Sequence, residues 1–260
     1  MTKLVFIPDT QVKAGVPTDH LLAAGRYIVA HKPDVVVVAG DWWDMSSLNK
    51  YGTNLELEGE RIDKDLQAGR EALDLFMSPL TDYNNMQRRN KKVCYRPRLV
   101  YTVGNHDPQV RIPRLISEYP ILQGILKEDE ATKWLEAHRF QVVPFLEVIS
   151  IEGIRFSHYH VNSHSARKGP LGGQIETMLK NAGYSFIQGH TQGLKMGKFY
   201  LSDGSRRLGI VAGSFYQHYE DFMGPQGNGH WHGIIQLNEV RDGGGDICEL
   251  SLDYLRRHYL

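Results

Sequence analysis

Cysteine is nearly absent: Cys94 and Cys248 are the only two among 260 residues. Two thiols cannot build a disulfide framework, nor a thiolate-dominated structural zinc site. Long apolar runs are missing as well. No stretch approaches the roughly 18 residues that a membrane-crossing helix needs, so no membrane partner is expected. Met1 leads straight into a strand-like run without a signal-peptide pattern, and a cytoplasmic location is expected. Nor is there an excess of one charge, since Lys+Arg and Asp+Glu stand at 30 each. That balance excludes a general affinity for nucleic acid or membrane surfaces while leaving room for a local basic groove. No internal repeat, low-complexity segment or clean linker interrupts the chain, and one domain spanning residues 1–260 is expected.

What is present begins with residues 34–44, Asp-Val-Val-Val-Val-Ala-Gly-Asp-Trp-Trp-Asp. Four valines in a row cannot form a strand with one wet face. They predict a short strand buried on both sides, as in a covered parallel sheet. Gly40 permits a tight turn at its end, and Asp41 is delivered to the strand's carboxyl edge, where open α/β sheets place their chemistry. Taken alone, Asp41 reads equally well as the N-cap of a following helix.

The pattern repeats. Residues 4–7 form a first apolar run, and a helix is expected from Thr18 to about His31, giving a βαβ unit. An insertion of mixed polarity follows at about 45–97. Within it residues 61–77 have helical periodicity, and residues 88–92 are a run of charge. That run reads as a solvated face or as a cap element offering cations to an anionic substrate. Residues 98–103 predict a third strand, and helices are expected near 112–119 and 131–138. From Phe140 the character shifts to β, with strands near 146–149, 154–157, 185–188, 199–201, 208–213, 234–240 and 247–252 and one helix at 174–182. The chain therefore reads as an α/β first half joined to a β-rich second half.

Five times an apolar strand is followed closely by a side chain able to bind metal: Asp9, Asp41, Asn105, His158 and His190. Strand ends in one sheet lie about 5 Å apart, so such side chains converge. Converging carboxylates repel, and bound cations resolve the repulsion. Carboxylate, amide and imidazole ligands together suit borderline divalent ions such as manganese, iron, zinc or nickel.

In order along the chain, Asp9-Thr10-Gln11, Gly40-Asp41-Trp42-Trp43-Asp44, Gly104-Asn105-His106-Asp107, His158 and Gly189-His190-Thr191-Gln192 resemble the motif set of the calcineurin-like metallophosphoesterases. The later segments 213–216 and 228–233 look like uncharacterised phosphoesterases carried by bacteriophages, which would place the protein in a host cytoplasm. The resemblance implies an α/β, four-layer α-β-β-α sandwich of two mixed sheets flanked by helices, with the active site at the strand carboxyl ends. It implies two divalent metal ions, Mn²⁺ foremost, with Fe²⁺, Zn²⁺, Ni²⁺ or Mg²⁺ as alternatives. Asp41 would bridge them, Asp9 would bind the first, and Asn105, His158 and His190 would complete the second. His106 would protonate the leaving group, oriented by Asp44.

Two positions depart from the family pattern. Gln11 and Gln192 stand where many members have first-site histidines. Each either binds an oxygen-rich, weaker first ion or hydrogen-bonds a water on it. Candidate substrate contacts are His160, His164, Arg167 and Lys168. Trp42 reads either as packing or as a stacking platform for a base. The expected activity is metal-dependent hydrolysis of a phosphate ester, foremost a phosphodiester of a nucleotide or nucleic acid. The alternatives are a protein or small-molecule phosphomonoesterase and a catalytically weak scaffold of the same fold.

Overall fold

The four consecutive valines form a strand that is buried along its whole length. In the computed structural model, which describes residues 1–49, 57–219 and 224–260, this strand (β2, Val35–Val38) lies between β1 (Thr2–Ile7) and β3 (Arg98–Thr102). Residues 50–56 of the expected insertion lie outside the described residues. With β4 (Phe140–Val143) these strands make a parallel core. The late strands β10 (Gly233–Arg241) and β11 (Gly244–Ser251) extend it antiparallel on the β1 side, giving the order β11-β10-β1-β2-β3-β4. The second sheet is also mixed. It orders β5 (Ile149–Ile151), β6 (Ile154–Phe156), β7 (Phe186–Gln188), β8 (Leu194–Tyr200) and β9 (Arg206–Ala212) as β5-β6-β7-β9-β8.

Side chains alternate across each strand, and that alternation builds the layers. On β1 and β2, Leu4, Phe6, Val35 and Val37 face inward and pack with Phe156, Ile187 and Ile210 of the second sheet. Val5, Ile7, Val36 and Val38 face outward, under α1 (Asp19–His31), α2 (Ile62–Arg89), α3 (Pro108–Glu118), α4 (Glu130–Ala137) and, at the chain's end, α6 (Leu252–Tyr259). On the far side, Ile175, Met178 and Leu179 of α5 (Ile175–Ala182) pack on Phe186 and Val211. The result is the four-layer α-β-β-α sandwich.

Several elements differ from the sequence expectation. The helix expected over 61–77 continues to Arg89, through Pro79. Proline has no N–H to give to the carbonyl four residues back. Here the Ser78 hydroxyl donates to that carbonyl, Leu75, at 2.8 Å, and Pro79 packs where Gly25 of α1 has no side chain. The C-terminal helix α6 was not expected. Its signals are Ser251, whose hydroxyl accepts from the Tyr254 N–H at 3.2 Å, and basic residues in the last turn.

Gly69 of α2 lets the Trp43 indole lie flat on the helix, since a Cβ there would fall 1.7 Å from Trp43 Nε1. Gly69→Ala is expected to destabilise the fold by about 3 kcal/mol, the upper end of overpacking. For a chain of this size that lowers Tm by roughly 10 °C, checked by calorimetry. An unchanged Tm would mean that the indole has room to move.

Candidate metal centre

Each polar tip is delivered by a different strand end. Asp9 follows β1, Asp41 follows β2, Asn105 follows β3, His158 follows β6 and His190 follows β7. The two sheets thus contribute to one point from their carboxyl edges. The bends are tight: Gln11, Asp41, His190 and Gln192 all adopt left-handed backbone at φ between 39° and 67°. Left-handed backbone at residues other than glycine is costly and gathers at functional sites. Gly104 and Gly189 allow close approach, because a Cβ would stand 2.2 Å from Asp41 Oδ1 at the first and 2.2 Å from Asp9 Oδ1 at the second.

Hydrogen bonding defines which atoms face the centre. His158 Nδ1 lies 2.7 Å from the Ala39 carbonyl, which can only accept, so this nitrogen carries the proton. Nε2 is then turned toward Asn105 Oδ1 at 3.0 Å, His190 Nδ1 at 3.2 Å and Asp41 Oδ2 at 3.3 Å. The donor atoms of Asp41, His158 and His190 all lie within 4.8 Å of one another. Asp9 joins them through Oδ1, which accepts from the His190 N–H at 3.0 Å, while its buried Oδ2 has no partner. Electron pairs from carboxylate, amide and imidazole therefore point at one another. Only a proton or a cation between them makes that arrangement stable. The donor set fits a borderline divalent ion, and the Ala39 carbonyl behind His158 is the outer contact that fixes a ligand's tautomer.

The electrostatics agree. Burial disfavours the charged form of His158, but Asp41, Asp9 and the Ala39 carbonyl outweigh it and push its pKa up to about 9. Burial raises Asp9 to about 6, helped by Asp41, against the pull of His158. Burial and the neighbouring His158 charge lower His190 to about 4. A metal ligand must shed its proton. Because the His158 value is raised in the fold, its proton stabilises the protein fully below about 6.5 and is lost as pH rises toward about 9. Affinity for Mn²⁺ is therefore expected to climb across that window, approaching tenfold per pH unit, with a proton released per ion. Calorimetric titration in buffers of different ionisation enthalpy checks this; an affinity independent of pH contradicts it.

Beside the centre, His106 donates its backbone N–H to Asp41 Oδ1 at 2.8 Å. Its Nδ1 lies 3.0 Å from the Asp44 carbonyl and 3.6 Å from the Asp44 carboxylate. Asp44 thus meets the ring mainly through its backbone. Burial opposes a charge on His106, yet Asp44 and Asp41 raise its pKa above the ordinary value, while Arg111 works against them.

The remaining expected site residues have their own surroundings. Gln11 is buried beside the Asp41 turn, its N–H bonded to the Asp41 carbonyl at 2.9 Å. Gln192 Oε1 accepts from the Tyr216 hydroxyl at 2.8 Å, and the preceding residue, Phe215, donates its N–H to the Asp9 carbonyl at 2.8 Å. His160 is buried against Tyr184 and Phe186. Trp42 is wholly buried, its indole N–H on the Gly69 carbonyl at 2.9 Å and its ring against Phe76. It offers no open face for a base. His164, Arg167 and Lys168 are exposed on the loop after β6.

Sequence reasoning assigned no role to Asp107, Arg111, Tyr159 or Tyr216. Asp107 is buried and clamps the loops, accepting from the N–H groups of Gly104 at 2.7 Å, Trp42 at 2.9 Å and Asp41 at 3.1 Å. Its place at the start of α3, directly after His106, was the available signal. Arg111 bonds the Asn105 and Leu48 carbonyls and stands 3.1 Å from His106 Nδ1. Tyr159 packs on the His190 ring at 4.5 Å between centroids. In Arg111 and the tyrosines no spacing in the sequence marks the role.

No family model matches the sequence, and no curated protein does either. Solved structures similar to this chain include a phosphoesterase from E. coli, at 14% identity and TM-score 0.36, covering 96% of this chain and 99% of that one. A nuclease from Pseudomonas putida is similar at 13% identity and TM-score 0.35, over 84% of this chain and 78% of that one. A dimetal phosphatase from Danio rerio is similar at 15% identity and TM-score 0.41, over 96% of this chain and 99% of that one. Likenesses at these scores carry no argument, and the functional reading rests on the chain's own residues.

Proposed function

We propose that the chain is a metal-dependent phosphoesterase that uses two divalent ions, with manganese preferred and a phosphodiester of a nucleotide or nucleic acid as substrate. The observation that carries the reading is the convergence of Asp41, His158 and His190 donor atoms within 4.8 Å, beside the unpartnered Asp9 oxygen. Asp41, Asn105, His158 and His190 would hold one ion, and Asp9 with Asp41 the other. Gln11 and Gln192 would complete the second set directly or through a water, with the Gln192 oxygen also held by the Tyr216 hydroxyl. Bound divalent ions supply Lewis acidity to a phosphoryl oxygen and lower the pKa of water near neutral pH.

The chain's own contribution is proton delivery and positioning. Nδ1 of His106 faces the Asp44 carbonyl, to which it donates in the charged ring, and Arg111 Nη2, from which it can accept in the neutral ring; in both cases the outward nitrogen carries a proton. Asp44 and Asp41 favour that charged form, which is the state a general acid needs at the leaving oxygen. Asp107 holds the turns that aim Asp41 and His106. Turnover of bis-p-nitrophenyl phosphate and p-nitrophenyl phosphate with added manganese tests the proposal. Faster turnover of the diester supports it, preference for the monoester redirects it to a phosphomonoesterase, and no metal-dependent turnover of either overturns it.

A further inference from the structure

Residues 88–98 read Arg-Arg-Asn-Lys-Lys-Val-Cys-Tyr-Arg-Pro-Arg, six cations and no acid in a chain whose charges cancel only when this run is counted. All six cations are exposed. Only Arg88 and Arg89 lie in the last turn of α2, where they offset the helix dipole. The other four lie beyond the helix, so capping does not account for them. None of the six is a partner in the ion pairs formed by Lys13, Arg114, Lys133 and Arg256.

The run is remote from the metal centre. Gly69 of α2 touches Trp42 at the carboxyl end of β2, whereas Tyr95 bonds the Pro33 carbonyl at its amino end. Nineteen residues of helix separate Gly69 from Arg88, about 28 Å at 1.5 Å per residue. The cations are therefore not a cap over the site. Two of them, Arg88 and Arg96, line a groove of about 180 Å³ together with Arg139 and the apolar Met77, Leu80 and Leu99.

We infer that this basic groove is a second binding surface, for single-stranded nucleic acid, at the edge of the sheet opposite the metal centre. Exposed cations along a groove track a phosphate backbone, and an apolar recess accepts an unstacked base. A lipid surface has no use for the concave recess. The inference deepens the proposed function, because one single strand can lie in the groove and reach the metal centre. It also stands apart from that reading, since binding here needs neither metal nor turnover.

The test is fluorescence anisotropy with a labelled oligonucleotide of about 20 nucleotides, longer than typical single-strand site sizes, in chelator and without added metal. The parent is expected to bind with micromolar affinity that falls with salt at a log–log slope of about −3, as for four phosphate contacts. Replacing Arg88, Arg96 and Arg139 together by Gln is expected to weaken binding at least tenfold and flatten the slope. The same variant should keep the parent's melting temperature and its turnover of bis-p-nitrophenyl phosphate. Unchanged oligonucleotide binding overturns the inference, as does equal affinity for phosphatidylserine vesicles. Failure of all ester hydrolysis alongside intact, groove-dependent binding would count against the proposed activity alone.

Discussion

Asp41→Asn lowers metal-dependent hydrolysis of bis-p-nitrophenyl phosphate by roughly 10⁴-fold, the scale expected when several kcal/mol of charge stabilisation are lost. The change keeps an oxygen in place for the His106 N–H, so the turns stay folded. What it removes is the charge that faces His158 at 3.3 Å and neighbours Asp9. Thermal unfolding separates this from damage to the fold. In chelator the variant is expected to melt within a few degrees of the parent. Adding manganese at about 100 times its Kd stabilises a binding protein by about 2.7 kcal/mol, which the parent should show and the variant should not. A variant that still gains stability from manganese would remove Asp41 from the ligand set.

His106→Ala has the second-largest effect, and its size depends on the leaving group. General acid catalysis contributes about 10²–10⁴-fold where the departing oxygen needs a proton. A phenyl ester should therefore lose that much in kcat. A nitrophenyl ester should lose far less, because nitrophenolate departs without protonation. Metal affinity should not change, since the ring nitrogen of His106 is not among the converging donors. Asp44→Asn is expected to cost less than His106→Ala, because the closer contact to the ring, at 3.0 Å, is the Asp44 carbonyl, which the substitution keeps. Equal losses for both esters would show that His106 binds substrate without delivering a proton.

The legible part of the site is the part set by strand ends. A buried run of four valines cannot place Asp41 anywhere except at a sheet edge, and the same logic holds for Asp9, Asn105 and His190. The structure brings these together with His158. The four layers follow from the same source, since inward and outward residues alternate along β1 and β2. Features made by contacts distant in sequence were not legible. Trp42 faces back into α2 because Gly69 opens a path for the indoles. Gln192 is engaged by Tyr216, 24 residues away, and no motif links the two. His160 lies beyond the end of β6 at Phe156, and its burial against Tyr184 and Phe186 comes from residues more than 20 positions away. The length of α2 was hidden by Pro79, whose missing hydrogen bond is replaced by the Ser78 hydroxyl. The basic run was visible as charge, but its distance from the centre depends on that same helix length.

The most direct measurement is an anomalous difference map from crystals of the full chain grown with manganese. The account predicts density bounded by Asp41 Oδ2, His158 Nε2, His190 Nδ1 and Asn105 Oδ1, with a second, weaker peak at Asp9 Oδ2. A map without a peak among these side chains, under conditions where the metal is in large excess, would contradict it.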